Sequence, residues 1–565
     1  MALAQIDHRV GDLAGNARRI EEVLAEAEGQ DVDLVAFPEL AITGYPPEDL
    51  LLKDRFVAEN LEALARVARA TGEVAAVVGF VDRVGDELRN AAALCHRGQV
   101  VGVHHKRRLP NFSVFDEQRY FTPGSGPPLL FEVAGVAVGL SVCEDLWSAG
   151  GPVADLGRAG AALVVNVNAS PYHQGKQAER RAVLAERAVE AGCWVAYVNV
   201  VGGQDELVFD GDSTVVDSTG EVVACAPRFE ERLLVVDLDL PGRGEATSAG
   251  GAGPTQATVP VTARSRASGS PLVPRCPAPL DPVAEVYAAL VLGTRDYVTK
   301  NGFSDVVLGL SGGVDSSLVA VIAADALGAG RVHGVLMPSR YSSEHSVGDA
   351  EALAEAIGLD RCTVPIEPAH RAFAEMLDGP LGGLEGLTEE NLQSRVRGIV
   401  LMALSNARGW MVVTTSNKSE SAVGYSTLYG DSAGGYAVIK DVPKLLVYEL
   451  CRHRNRVARD AGEVPPVPES VLTKAPSAEL RPDQTDDQSL PPYEELDPLL
   501  EALVERDRTP ADLVAEGHDE ALVRRIARLV DLAEYKRRQF PPGPRVTTKA
   551  FGKDRRLPIT NAYRG

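Results

Sequence analysis

Four short stretches of this 565-residue chain carry side chains able to do chemistry. Cys143 in SVCEDLW, Glu39 in FPEL and Lys106 in HHKRRLPNF supply what amide hydrolysis requires. A thiolate attacks the carbonyl, a base takes the thiol proton and later activates water, and a positive group stands beside the oxyanion. The backbone N–H of Glu144 is a natural second oxyanion donor, and Glu117 in FDEQRYF is placed to orient either Lys106 or the ammonia. The fourth stretch, SGGVDSS, comprises Ser311, Gly312, Gly313, Val314, Asp315, Ser316 and Ser317. It follows the apolar run VVLGL and precedes LVAVIAADAL, a strand, glycine turn and helix order that makes a cradle for phosphate. The glycines let backbone approach phosphate oxygens, and the serines add hydroxyl donors. Asp315 would repel phosphate without a cation between them, which implies Mg²⁺. No GK[ST] ending follows, so the lysine of a Walker loop is absent.

These residues must be presented by ordered elements. Upstream of residue 240, runs such as LVAFPEL, AAVVGF, VAVGLSVCEDLW, ALVVNVNAS and WVAYVNVVG alternate with helices. The helix running through Asn16 places Ile20, Val23, Leu24 and Ala27 on one stripe suited to covering a sheet. Residues 241–275 hold 25 Gly, Ala, Ser, Thr or Pro among 35 positions and cannot bury enough apolar surface to offset their chain entropy. The expected organisation is therefore a first domain at 1–240, a linker at 241–278 and a second domain at 279–565. In the second domain, Asp281 and Pro282 cap and open a helix whose buried face is Val283, Val286, Tyr287, Leu290 and Val291. Strands and helices then alternate as in a doubly wound parallel sheet. The acidic, proline-bearing stretch 476–492 is expected as a surface loop beside the phosphate site.

Glu39, Lys106 and Cys143 in this chain order, with PEL and CEDLW around them, resemble the nitrilase superfamily. The resemblance implies a four-layer αββα sandwich and glutamine-holding roles for Ser170 and Lys176 in SPYHQGK. It extends to position 112, where Phe112 stands in place of the usual tyrosine and removes a hydroxyl hydrogen bond. SGGxDS resembles the loop of enzymes that cleave ATP between its α and β phosphates to adenylate a substrate, a Rossmann-like fold of the adenine nucleotide α-hydrolase kind. The stretches ENLQSRVRGIVLMALSN and TTSNKSESAVGYSTLYGDSAGGYAVIKDVPK resemble NAD synthetases. That likeness implies ATP contacts at Thr415 and Lys444, contacts to deamido-NAD at Asn391, Glu420, Asp431 and Lys536, and Mg²⁺ held by Asp315 and Glu420. Joined, the halves resemble the glutamine-dependent NAD synthetases over nearly the whole chain, which implies a homo-oligomer and an internal route for ammonia. GMP synthetases pair a similar loop with a Cys-His-Glu glutaminase on a nucleophile elbow, and no GxCxG surrounds Cys143.

Composition narrows the remainder. A net charge of −22 disfavours general attraction to nucleic acid or anionic lipid, so anionic substrates must meet local basic pockets. No apolar run approaches the roughly 18 residues a membrane helix needs, and the N-terminus resembles no secretion leader, so a cytoplasmic protein is expected. Seven scattered cysteines, none in a CxxC pair, point to neither a disulfide framework nor a zinc site. The basic cluster Lys549, Lys553, Arg555 and Arg556 either closes over a triphosphate or is a solvated tail.

Overall fold

The computed structural model describes residues 1–241, 258–266, 272 and 276–563. The chain forms two compact units, one of residues 1–204 with 208–279 and the other of 205–207 with 280–565.

The first unit is built on two sheets. One runs Arg232–Val235, Ala2–Gln5, Leu34–Ala36, Ala75–Val84, Glu87–His96, Gln99–His105 in spatial order. The other runs Val222–Cys225, Thr214–Val216, Trp194–Asn199, Leu163–Asn168, Val136–Val142, Leu130–Val133, Thr258–Pro260. Their inner faces meet in a core containing Leu3, Ala36, Val77 and Leu94 from the first sheet with Val138, Leu140, Val165 and Ala196 from the second. Helices Pro152–Arg158 and Lys176–Ala191 cover the outer face of the second sheet through Val153, Leu156, Leu184 and Ala188. Helix Leu13–Gly29 buries Ile20, Val23, Leu24 and Ala27, the stripe expected from sequence. Central strands such as Leu163–Asn168 are buried along their whole length, which is why they read as unbroken apolar runs rather than as alternating ones. The result is the αββα sandwich.

Two features depart from the sequence expectation. The linker is not uniformly loose, because Thr258–Pro260 adds a parallel edge strand to Leu130–Val133. Arg266 then binds Asp33 through its backbone N–H and Glu28 through its guanidinium. Composition alone hid this, since TVP is a short β-capable island between Gly/Ala-rich stretches. The rest of 242–257, with 267–271 and 273–275 apart from Leu272, lies outside the described residues. The expectation of no disulfide is also corrected. Cys225, ending its strand, is joined to Cys276 across 51 residues, Cα to Cα 4.9 Å, because the returning linker brings the second thiol back to the sandwich. The other five cysteines are free.

The second unit holds a five-stranded parallel sheet in the order Asp360–Thr363, Val332–Leu336, Val306–Gly309, Met411–Thr414, Tyr436–Ala437. Helix Val314–Leu327 is buried along most of its length, and helix Leu387–Arg408 packs on the sheet through Val396, Leu401 and Leu404 beside Val307, Val335 and Val412. Asp281 caps the opening helix by accepting from Val283 N–H at 3.0 Å, with Pro282 in its first turn as expected. A helical cluster formed by Leu496, Leu500, Val523, Ile526 and Val530 packs under Ala422 and Val423 and so fixes the short helix Lys418–Val423. Among the described residues no helix is long and apolar enough to cross a membrane.

Gly79 shows how closely the first sheet backs its loop. A Cβ there would lie 2.3 Å from the Pro38 carbonyl oxygen and 2.5 Å from the Leu40 nitrogen, on either side of Glu39. Gly79→Ala is expected to destabilise the first unit by about 2 kcal/mol through overpacking. Calorimetry would record this as a lowered unfolding transition, and an unchanged transition would contradict the contact.

Candidate active sites

The thiol site is assembled at strand ends. Cys143 follows Val136–Val142 at the start of the short turn Cys143–Leu146 and adopts φ +42°, a left-handed conformation uncommon for a residue with a Cβ. Glu39 lies just past Leu34–Ala36, where its backbone N–H donates to the Asn168 carbonyl at 3.3 Å. Lys106 lies just past Gln99–His105, its N–H donating to the Asn90 carbonyl at 2.8 Å. All three side chains are buried.

Lys106 Nζ is 2.7 Å from Glu39 Oε1 and 2.8 Å from Glu117 Oε1. Glu39 accepts further bonds from Asn90 Nδ2 at 2.7 Å and the Ala169 N–H at 3.0 Å, and Tyr45 donates its hydroxyl to Glu117 at 3.0 Å. The ammonium is thus held in one place with its charge opposed by two carboxylates. Burial acts to lower the Lys106 pKa, but Glu117 and Glu39 outweigh it and hold the group well above the usual range. Burial pushes Glu117 up to about 7 despite Lys106 beside it. Burial, with Glu39 adding to it, also raises the Cys143 thiol, while Lys106 pulls the other way. Attack by this sulfur then calls for its proton to pass to a neighbour, and Glu39 is the acidic side chain beside it.

The residues expected to hold glutamine differ in enclosure. Ser170 is buried, with its N–H donating to Asn199 Oδ1 at 2.9 Å. Lys176 Nζ sits 4.0 Å from the Trp147 ring centre and 3.0 Å from Glu179, and burial lowers its pKa. Phe112 is 58% exposed and packs edge-on to Phe115. Glu117, expected to orient Lys106 or ammonia, takes the first of those roles in its contacts. Asn90 and Tyr45 were missed, since neither stands near a motif.

The second unit encloses a cavity of about 440 Å³. Ser311, Gly313, Val314, Asp315 and Ser316 line it, as do Thr415, Lys444, Asn391, Glu420, Asp431 and Lys536. Gly312 and Ser317 do not. Gly312 takes φ +74°, and a Cβ there would fall 2.0 Å from the Ser346 carbonyl oxygen, so its contribution is the turn. Ser317 turns its hydroxyl back to the Gly313 carbonyl at 2.9 Å. Lys444 Nζ lies 2.6 Å from Asp315 Oδ2 and 3.0 Å from Glu420 Oε1. Burial acts to lower its pKa, but the two carboxylates hold the ammonium well above the usual range, while burial pushes Glu420 up to about 8.

Asp431 accepts from Thr427 N–H at 2.7 Å and Ser394 Oγ at 3.0 Å. Asn391 accepts from Thr427 Oγ1 at 2.7 Å, and Lys536 donates to the Gly424 and Ser426 carbonyls at 2.8 Å each. The 476–492 stretch lies beside this cavity as expected, lining it with Pro476, Glu479 and Asp486. Glu479 accepts from Ser343 Oγ at 2.9 Å and Ser346 Oγ at 2.6 Å. Asn417, also missed, caps helix Lys418–Val423 by accepting from Glu420 N–H at 2.9 Å and donates to Asp315 at 2.8 Å. The basic C-terminal cluster does not line the cavity: Lys549 pairs with Asp507, Arg555 with Glu534, and Arg556 donates to the Lys553 carbonyl.

Asp315 and Glu420 supply two hard carboxylate oxygens, the donor type Mg²⁺ takes, and in this structure both oxygens close on the Lys444 ammonium. Among the described residues no group of three His, Cys, Asp or Glu side chains is gathered for a metal.

Fold and sites define a carbon–nitrogen hydrolase joined to a nucleotide-binding ligase unit, and the family models agree: carbon-nitrogen hydrolase over residues 1–247 and NAD synthase over 286–540. The chain is 44% identical to the glutamine-dependent NAD(+) synthetase of Thermotoga maritima over all of its own length and 99% of that protein. It is 46% identical to the enzyme of the same name from Xylella fastidiosa Temecula1, again over all of its length and 99% of that protein. It superposes on the glutamine-dependent NAD+ synthetase of Acinetobacter baumannii, solved in complex with ADP, with TM-score 0.75 and 41% identity, covering 99% of this chain and 98% of that one. The chain belongs to the glutamine-dependent NAD(+) synthetase family.

The raised Glu117 carboxyl gives a pH expectation. As pH falls through about 7, Glu117 takes up a proton, Lys106 loses one of its two anionic partners, and glutamine hydrolysis should decline. In Glu117→Gln that acid limb is expected to vanish from the kcat/KM profile, leaving a lower and flatter activity. Persistence of the same limb would show that another group titrates.

Proposed function

We propose that the chain converts deamido-NAD⁺ to NAD⁺, consuming Mg-ATP and drawing ammonia from glutamine. In the first unit, Glu39 takes the thiol proton as Cys143 attacks the glutamine amide, and Lys106 with the Glu144 N–H stabilises the oxyanion. Ammonia leaves, and water activated by Glu39 releases glutamate from the thioester. Ser170 and Lys176 hold the amino-acid end of glutamine; the exposure of Phe112 leaves it a smaller part.

In the second unit the nicotinate carboxylate attacks the α-phosphate of ATP, pyrophosphate leaves along the 311–317 loop, and ammonia displaces AMP from the acyl adenylate. Thr415 and Lys444 act on ATP; Asn391, Asp431 and Lys536 bind the dinucleotide. Asp315 and Glu420 would hold Mg²⁺, which when bound neutralises charge on the departing pyrophosphate. The observation that carries this reading is the pairing of two separately built sites on one chain: the buried Cys143, Glu39 and Lys106 set, and the Asp315, Glu420 and Lys444 set beside a phosphate turn.

A cytoplasmic location is part of the same proposal. We assign a second copy of this chain as its partner, supported by Leu387, Ile399 and Met402, which stand exposed on helix Leu387–Arg408 beside Met376 and Leu381 of the preceding helix.

Cys143→Ala is expected to abolish glutamine-supported NAD⁺ formation while leaving ammonium-supported formation near its original rate, measured by coupled NAD⁺ detection with each nitrogen donor. Equal loss with both donors would contradict the division of labour.

A further inference from the structure

We infer that Asp145 is a positioning residue for amide hydrolysis, fastening the turn that carries Cys143 to the strand end that carries Lys106. The inference rests on the role proposed for Cys143. The Asp145 carboxylate is wholly buried and meets three backbone N–H donors and an imidazole nitrogen. Oδ1 accepts from the backbone N–H groups of Arg107 and Arg108, each at 2.9 Å. Oδ2 accepts from the Val142 N–H at 3.2 Å and lies 3.1 Å from His104 Nε2.

An aspartate serving only its own turn would need the Val142 bond alone. Three of these four contacts instead reach a segment 37 to 41 residues away, flanking Lys106 on both sides. The side chains of Arg107 and Arg108 are not what is bound. Arg107 directs its guanidinium to the Gly126 carbonyl and toward Asp155, so the peptide N–H groups themselves are the recognised feature.

The separation of sulfur and ammonium is fixed by where two backbone turns stand, and one carboxylate holds both. Cys143 stands in a left-handed conformation that its own chain does not favour, so an external restraint on this turn is physically required. Four donors on one buried carboxylate supply it: replacing an oxygen by an amide nitrogen sets donor against donor, with the full cost of an unsatisfied buried group. Asn90 binds the Lys106 N–H, and Asp145 binds the two that follow, so three consecutive peptide groups are pinned.

The test uses the full-length chain and reads kcat and KM for glutamine hydrolysis, with mass-spectrometric alkylation of Cys143 by iodoacetamide as a function of pH. Asp145→Asn is expected to lower kcat about 100-fold, the scale of a misplacement near 1 Å. KM should change by less than about threefold, because the groups that bind the substrate are untouched. The pH midpoint of alkylation should rise, since a Lys106 that has drifted no longer favours the thiolate. A role confined to general stability would lower the unfolding temperature and leave that midpoint in place.

Should Asp145→Asn fail to fold, the His104 pair carries the test. His104→Ala should move kcat and the midpoint in the same direction by a smaller factor, and His104→Gln, which keeps a donor, should restore both. Wild-type kcat and midpoint in Asp145→Asn, an effect on KM alone, or a His104→Gln no better than His104→Ala would overturn the assignment. An unaltered chain that hydrolyses no glutamine would overturn the role of Cys143 and this inference together, which sets the two failures apart.

Discussion

A buried ammonium between two carboxylates is the interaction on which both sites depend. Lys106 stands between Glu39 and Glu117 in the first unit, and Lys444 between Asp315 and Glu420 in the second. Removing such an ion from water costs several kcal/mol, and only close, well-directed partners offset it. One ammonium neutralises one carboxylate. Burial pushes one acid up in each unit and the second carboxylate adds to it, taking Glu117 to about 7 and Glu420 to about 8. In the proposed reactions the same physical arrangement serves two chemistries: beside the thiol it would offer a base and a fixed cation for an oxyanion, and beside the glycine turn two hard oxygens and a cation for a nucleotide.

Each set is held by elements that end where the chemistry begins. Cys143, Glu39 and Lys106 all lie just beyond strands of the sandwich, so sheet register sets where each turn begins. Asp315 opens a helix buried along most of its length, and Glu420 sits on a short helix wedged over a separate apolar cluster. Asn417 joins these two placements through a single amide, one end capping the helix and the other holding the aspartate. The left-handed Cys143 and Gly312, where backbone packs on backbone, stand at these same points.

Much of this was legible in the sequence because the reactive residues are flanked by their own strands. SVCEDLW, FPEL and VVLGLSGGVDSS each carry the element and the functional group within a few residues. What escaped is whatever acts across long separations. Asn90 meets Glu39 from 51 residues away, Glu479 meets Ser346 from 133, and Asn417 meets Asp315 from 102. No local pattern announces such a partner, because a lone asparagine or glutamate is ordinarily solvated. Composition misled in the linker, where TVP forms an edge strand and Cys276 returns to Cys225. Charge left two readings open at the C-terminus, where Lys549 pairs with Asp507 and Arg555 with Glu534 and none of the cluster lines the cavity. Ser317 illustrates a finer limit: it belongs to the motif, yet its hydroxyl is used to hold the turn.

The central claim is that the cavity of the second unit activates a carboxylate by adenylation. The most direct measurement follows oxygen. Deamido-NAD⁺ labelled with ¹⁸O in its nicotinate carboxylate, turned over with Mg-ATP and ammonium, should yield AMP carrying one labelled oxygen and unlabelled pyrophosphate, read by mass spectrometry. Label appearing in orthophosphate alongside ADP, or NAD⁺ formed with no label in AMP, would contradict the account.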